Sequence, residues 1–176
     1  MIKVSVAILS FNRKNDLEET LTRVYQSPLD KIELEVIVTD NGSSDGTGAM
    51  VSEKFPDVKL IESKSNLGIQ GYNRAFEQSS GKYILILDDD SFPAPNAIQR
   101  MVEEFEKDNR IGVIAFDVRN YYHFDQIAMA EVPKSVNAQH RYLMGFNGAG
   151  AGFRKSLFDT IGGYPAEFFL YFNEMD

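Results

Sequence analysis

Residues 83–101 read YILILDDDSFPAPNAIQRM, and the order of their parts sets the architecture. An apolar run, Tyr83 to Leu87, is far too short to cross a membrane and has the character of a buried strand. Three consecutive carboxylates, Asp88, Asp89 and Asp90, end it. After a proline-rich turn, Ile98, Met101, Val102 and Phe105 recur at helical spacing and give one apolar face. Strand, acidic loop and amphipathic helix in that order form one unit of an α/β sheet.

The rhythm repeats outward from that unit. IKVSVAILSF (2–11) is a nearly continuous apolar run, as expected of a strand covered on both faces. NDLEETLTRVYQS then places Leu17, Leu21 and Val24 at helical spacing, with Pro28 beyond it. LEVIVTD is a second strand, closed by the turn formers NGSSDGT. A short helix around GAMVSEKF, a third strand VKLIES and a turn KSNLG follow. IQGYNRAFEQSSG reads as a helix stopped by Gly81, KYILILD as the fourth strand and IGVIAFDV as a fifth. Such alternation predicts a mostly parallel, doubly wound sheet with right-handed crossovers. From Asn120 the pattern becomes aromatic and glycine-rich, and only RKSLFDTIGG looks helical, with Gly162 and Gly163 as its stop.

The chain has 176 residues, 43% hydrophobic and 25% charged, and no cysteine. That length suits one domain able to bury about 70% of its unfolded surface. Without thiols, any metal must sit on oxygen or histidine. A net charge of −8 argues against nucleic acid or anionic lipid as partner, since both require basic patches. The sequence shows no run long enough for a membrane span and no leader-like layout at Met1, so a cytoplasmic protein is expected.

In open α/β sheets ligands bind beyond the carboxyl ends of the strands, where the strand order reverses. Asp40 ends the second strand and Asp88 to Asp90 end the fourth, so both acidic groups fall on one rim. A strand order of 3-2-1-4 brings Ser10, Phe11 and Asn12 into the same crevice. Two readings of the aspartate run follow. Asp90 or Ser91 can cap the helix of residues 95–107; alternatively, the carboxylates take up a hard divalent cation whose shell a diphosphate completes. DNGSSDGT by itself is an ordinary turn. GAGAG at 148–152 lacks the G-x-G-x-x-G spacing and a surrounding strand-to-helix unit, which excludes a dinucleotide fingerprint and leaves close backbone approach as the role of its glycines.

VSVAILSFNR, VIVTDNGSSDGT, NLGIQGYNRA, YILILDDD, GFRKSLFDTIGGYPAEFF and YFNEMD stand in the order and spacing of the family 2 inverting glycosyltransferases with the GT-A fold. The resemblance covers essentially the whole chain, and the FFLYFNEMD ending is most similar to the rhamnosyl- and galactofuranosyl-transferase-like branch that builds bacterial surface polysaccharides. It implies a single GT-A domain over 1–176, with a nucleotide-sugar-binding half (1–118) and an acceptor-side half (119–176) that family members continue with further helices, so truncation at the C-terminus is expected. It implies a UDP- or dTDP-linked sugar donor, a glycan or lipid-linked acceptor, and work in the cytoplasm with peripheral association at the inner face of the cytoplasmic membrane.

The resemblance also implies roles by position. Ser10 and Asn12 line the nucleotide pocket, Asp40 contacts the nucleoside through its base, and Arg74 faces the nucleotide. Asp88 and Asp90 match the D-x-D motif, Asp90 being the first choice as direct ligand of a Mn2+ or Mg2+ ion, and Asp89 lines the donor pocket. An inverting transfer needs a carboxylate to accept the acceptor's proton. The family places Glu-Asp after its aromatic run; here the pair is Asn173-Glu174, which makes Glu174 the base and Asp176 the reserve. The aromatics Phe168, Phe169, Tyr171 and Phe172 either wall a sugar ring or pack in the core, and His123 and His140 receive no role. Two rivals remain: a nucleotidyltransferase, for which SFNRKND lacks the glycines of a phosphate loop, and a nucleotide-sugar-binding module without turnover.

Overall fold

The computed structural model describes residues 1–119, 148–165, 167 and 169. Strand β1 (Ile2–Ser10) leads through helix α1 (Lys14–Tyr25) to β2 (Ile32–Asp40), and α2 (Thr47–Lys54) leads to β3 (Lys59–Glu62). A 3-10 turn (Gly68–Gln70) runs into α3 (Gly71–Gln78), followed by β4 (Tyr83–Asp88), α4 (Ala97–Lys107), β5 (Val113–Ala115), β6 (Ala151–Arg154) and α5 (Lys155–Ile161). Among the described residues the sheet has six strands in the order β3-β2-β1-β4-β6-β5. β1 pairs in parallel with β2 and with β4, and β2 with β3, and the order reverses between β1 and β4 as expected.

Two apolar layers hold the helices to this sheet. Val4, Val6, Ile8, Val36, Val38, Leu85 and Leu87 pack with Leu17, Leu21 and Val24 of α1, Met50 and Val51 of α2, and Ile98, Met101, Val102 and Phe105 of α4. On the other face Ala7, Ile37, Ile84 and Ile86 pack with Tyr72, Ala75 and Phe76 of α3. Continuous apolar runs in β1 and β4 are thus explained, since both faces are covered. Tyr83 stacks on Phe105 with ring centroids 4.5 Å apart. Truncating a side chain as buried as Leu21 would cost about 2–5 kcal/mol.

Three local expectations are corrected. The fifth strand does not extend the parallel sheet beside β4: β6 lies between them, antiparallel to both. β6 arises from the glycine-rich stretch and leads directly into α5, so a strand-to-helix unit does surround GAGAG. Its Gly152 is there for packing, because a Cβ would stand 2.3 Å from Met101 Sδ of the overlying α4. Finally, α3 stops at Gln78 with Ser79 extended, before Gly81. Gly81 is buried against β1, where its amide donates to Ser5 Oγ and a Cβ would lie 2.6 Å from the Ser5 nitrogen.

Candidate functional site

The crevice at the carboxyl rim is built by strand register. Ser10 pairs with Asp40 across β1 and β2, and Leu9 pairs with Asp88 across β1 and β4. One residue of β1 therefore stands between the two acidic groups predicted from sequence. Ser10 and Asp40 are both buried. Ser10 Oγ and Thr39 Oγ1 make no hydrogen bond with the described residues, and a buried hydroxyl without a partner marks a place where a ligand or water completes the structure.

Each aspartate of the run is answered differently. The Asp88 carboxylate accepts a hydrogen bond from the buried Tyr72 hydroxyl at 3.0 Å, which also points at the Leu87 carbonyl at 2.8 Å. Burial and then the nearby Asp88 charge push the Tyr72 hydroxyl well above its ordinary range, so it remains a donor. Asp89 is 7% exposed. Burial pushes its carboxyl up to about 6, against the opposing pull of the Ser10 hydroxyl, the Phe11 amide and Arg13. The Phe11 amide is 3.3 Å away. The Thr20 hydroxyl of α1 donates to the Asp89 carbonyl at 2.9 Å and fixes the backbone of the run. Asp90 is exposed, and Arg13 Nη1 lies 2.6 Å from its Oδ2.

None of these groups caps α4. That helix starts at Ala97 behind Asn96, which has φ 64° and makes no side-chain cap bond. The Ser91 hydroxyl donates instead to the carbonyls of Asp88 and Ala149. Pro93 and Pro95 keep the intervening chain out of helical geometry, so the aspartates are held away from the helix they precede.

On the other rim, Asp40 Oδ1 accepts from the Ser43 amide at 2.9 Å. Gly42 and Gly46 both have positive φ, 88° and 86°, so DNGSSDGT is the turn that its composition predicts. Asn12 has φ 54°; its amide donates to Ser43 Oγ and its side-chain oxygen accepts from the Ser44 amide at 2.7 Å. Asn12 therefore folds this loop over β1. Arg74 is exposed on α3 and reaches Ser63 Oγ at 3.3 Å, while the Ser63 amide binds the Asp40 carbonyl, which puts Arg74 on the Asp40 side of the crevice.

The structure adds residues that the sequence did not single out. The Asn41 side chain donates to the Gly68 carbonyl and to Asn66 Oδ1, both at 3.0 Å. The next amide, that of Ile69, donates to the Phe169 carbonyl at 2.9 Å. Gly68 has φ 59°, and a Cβ on it would lie 2.1 Å from that carbonyl. Residue 169 is thereby pinned to the crevice, five positions before Glu174 in the chain. Arg13 and Tyr72 are the others. Arg13 had one usable signal, a cation directly after the first strand in an acidic protein, whereas Tyr72 had none beyond its place on a helix. Glu174 and Asp176, with Asn173, Phe168, Tyr171, Phe172, His123 and His140, lie outside the described residues.

Among the described residues no three metal-ligating side chains converge on one point. Asp88 is engaged by Tyr72 and Asp90 by Arg13. The donors nonetheless fit a hard divalent ion: two carboxylates flank one position of the run, and the buried Ser10 hydroxyl has coordination to spare. They suit an ion that arrives with oxygen ligands of its own, rather than one caged by protein alone.

The sequence model of glycosyl transferase family 2 matches residues 5–172. An uncharacterized glycosyltransferase of Bacillus subtilis is 32% identical over 126 residues, 70% of this chain and 32% of that protein. The poly-β-1,6-N-acetyl-D-glucosamine synthase of Staphylococcus epidermidis is 29% identical over 66% of this chain and 28% of its own length. A mannosyltransferase from Pyrobaculum calidifontis, solved in complex with GDP-mannose and Mn2+, superposes with a TM-score of 0.73 at 27% identity, over 93% of this chain and 48% of that one. The chain thus spans about a third of the length of these two curated relatives.

Proposed function

This chain belongs to glycosyl transferase family 2, and on that premise we propose that it is the catalytic core of an inverting, metal-dependent glycosyltransferase of cell-surface polysaccharide synthesis. The observation that carries the reading is the register that sets Ser10 between Asp40 and the Asp88–Asp90 run at one rim of the sheet. A nucleoside diphosphate laid across that rim meets Asp40 at its nucleoside end and the aspartate run at its diphosphate end. Mn2+ or Mg2+, held by Asp90 and Asp88, would supply the positive charge that stabilises the departing diphosphate. Support for the ion comes from the donor chemistry of the run and from the similar mannosyltransferase crystallised with Mn2+.

In the transfer, Glu174 takes the proton of the acceptor hydroxyl while that oxygen bonds to the anomeric carbon. The bond from that carbon to the diphosphate breaks on the opposite face, inverting the configuration. Asp89 lines the donor pocket and Arg74 approaches the nucleotide from the Asp40 side. UDP- or dTDP-linked sugars are the first donors to try, with a glycan or lipid-linked acceptor. The finer placement in the rhamnosyl- and galactofuranosyl-transferase-like branch rests on FFLYFNEMD alone. No described helix is long and apolar enough to cross a membrane, and association with the inner face of the cytoplasmic membrane is part of this proposal.

A nucleotidyltransferase would need free amides after β1 to cradle phosphates. Here the amides of Phe11, Asn12 and Lys14 are committed to Asp89, Ser43 and Asp45, which disfavours that rival. The test is a panel of nucleotide sugars assayed for released nucleoside diphosphate, with Mn2+ and with chelator. Glu174→Gln should retain donor binding while release falls about 100-fold or more. If Asp176→Asn is the silent variant's opposite, losing release while Glu174→Gln keeps the wild-type rate, the base is Asp176. Metal-dependent nucleotide binding with no release from any donor would favour the binding-only module.

A further inference from the structure

Three adjacent carboxylates need positive charge nearby, and in this chain part of it comes from within. Arg13 Nη1 stands 2.6 Å from Asp90 Oδ2, and its Nε lies 3.9 Å from Asp89 Oδ1. The residue sits just before α1 with φ −134° and ψ 49°, beyond the end of β1, so its side chain bridges the reversal point of the sheet from the β1 end to the β4 end. Both members of the pair are about half exposed, so neither is fixed by packing.

We propose that Arg13 is an exchangeable counter-ion: it occupies Asp90 in the ligand-free protein, is displaced from it by the divalent cation, and then takes an oxygen of the donor's diphosphate. The inference rests on the metal-dependent reading above and deepens it. A bare divalent ion that takes Asp90 leaves the guanidinium, with Asp16 at 3.7 Å and Asp89 at 3.9 Å, beside a doubly charged cation, which is unfavourable. An ion arriving with a nucleoside diphosphate brings the replacement anion, and the planar fork of arginine suits phosphate oxygens. Metal and diphosphate then bind cooperatively because each removes a penalty that the other would meet alone. Asp88 differs in that it accepts from the uncharged and deeply buried Tyr72 hydroxyl, which a cation cannot displace as it would a counter-charge.

The experiment is calorimetric titration of Mn2+ into the full chain, with and without UDP, for wild type, Arg13→Gln and Lys14→Gln. Arg13 is exposed, so its replacement leaves the core intact. A half-exposed ion pair changes an equilibrium constant by up to about fivefold. Arg13→Gln should therefore bind Mn2+ alone about two- to fivefold more tightly, and the factor by which UDP strengthens Mn2+ binding should fall by at least as much. Lys14→Gln removes the same charge one residue away and should change both quantities less than about twofold. Equal or weaker Mn2+ binding by Arg13→Gln overturns the exchange, as does an undiminished UDP effect, and so does an equal gain in Lys14→Gln, which would show a general field effect. Should Mn2+ and UDP show no mutual enhancement even in the wild type, the metal-dependent reading itself fails, and the exchange with it.

Discussion

Asp89 is a buried carboxylate whose charge the fold tolerates poorly, and replacing it should be stabilising. Its carboxyl rises from 3.8 to about 6, chiefly through burial. An acid that binds its proton more tightly when folded loses stability as pH rises between those two values, and the full penalty persists above them. Two units correspond to about 3 kcal/mol at neutral pH. Asp89→Asn removes that penalty while its side-chain oxygen can still accept from the Phe11 amide and its amide can donate to the unpartnered Ser10 Oγ. Allowing for imperfect geometry, a gain of about 2 kcal/mol is expected, or about 4 to 8 °C in melting temperature for a domain of this size. The assay is denaturant unfolding in the presence of chelator at about pH 7.5 and at about pH 4, where the carboxyl is protonated and the gain should shrink to a few tenths of a kcal/mol. No gain near pH 7.5, or the same gain at both values, would refute the reasoning. Such a gain would also show that stability is given up at this rim, as at sites shaped for a ligand.

Two further outcomes follow from the same geometry. Gly68→Ala should strain a backbone at φ 59° and push away the Phe169 carbonyl; donor turnover should fall at least about tenfold with UDP affinity changed less than about threefold, and unchanged turnover would show that the Ile69–Phe169 bond has no part in placing Glu174, the base proposed above. Glu35 lies at the opposite rim: burial disfavours its charge, but hydrogen bonds from Lys59, Ser5 and Ser80 outweigh burial and hold its carboxyl down at about 2. A depressed acid contributes stability above its unfolded value of 4.5 that is lost as pH falls toward about 2, so Glu35→Gln should cost about 2 kcal/mol at neutral pH, discounted for solvent at the sheet edge, and the deficit should narrow below about pH 4.5 in urea unfolding.

The parallel half of the fold was legible because its strands and helices carry their own patterns. β1 and β4 are covered on both faces and read as unbroken apolar runs, while α1 and α4 show their buried residues, Leu17, Leu21 and Val24 or Ile98, Met101, Val102 and Phe105, at helical spacing. β6 was not legible. Ala151–Arg154 is a strand because Tyr83–Ile86, far away in sequence, offers it an edge, and because Gly152 lets α4 lie over it. Pairing partners of that kind leave no periodicity. The end of α3 departs from the sequence pattern for a related reason: Gly81 looks like a helix stop, but the chain has already turned out at Ser79, so that Ser80 can reach Glu35 with both its amide and its hydroxyl.

The site divides along the same line. Ser10, Asp40 and Asp88 sit at strand ends, so strand order alone brought them together, and the register bears this out. What the sequence could not distinguish is one aspartate of the run from the next. Read along the chain, Asp88, Asp89 and Asp90 are three equal charges. In the fold Asp88 meets a tyrosine hydroxyl sixteen residues upstream, Asp89 meets burial and the Phe11 amide, and Asp90 meets a guanidinium seventy-seven residues upstream. Those partners distinguish them: Asp88 is oriented by a neutral donor, Asp89 is buried with its carboxyl raised to about 6, and Asp90 is held by a half-exposed guanidinium. Asp90 can give up its partner without leaving a buried group unsatisfied, because the guanidinium it releases is half exposed and can be solvated or can take a phosphate. On the proposed exchange, the outer carboxylate is therefore where a divalent ion would enter, with Asp88 oriented by Tyr72 beside it.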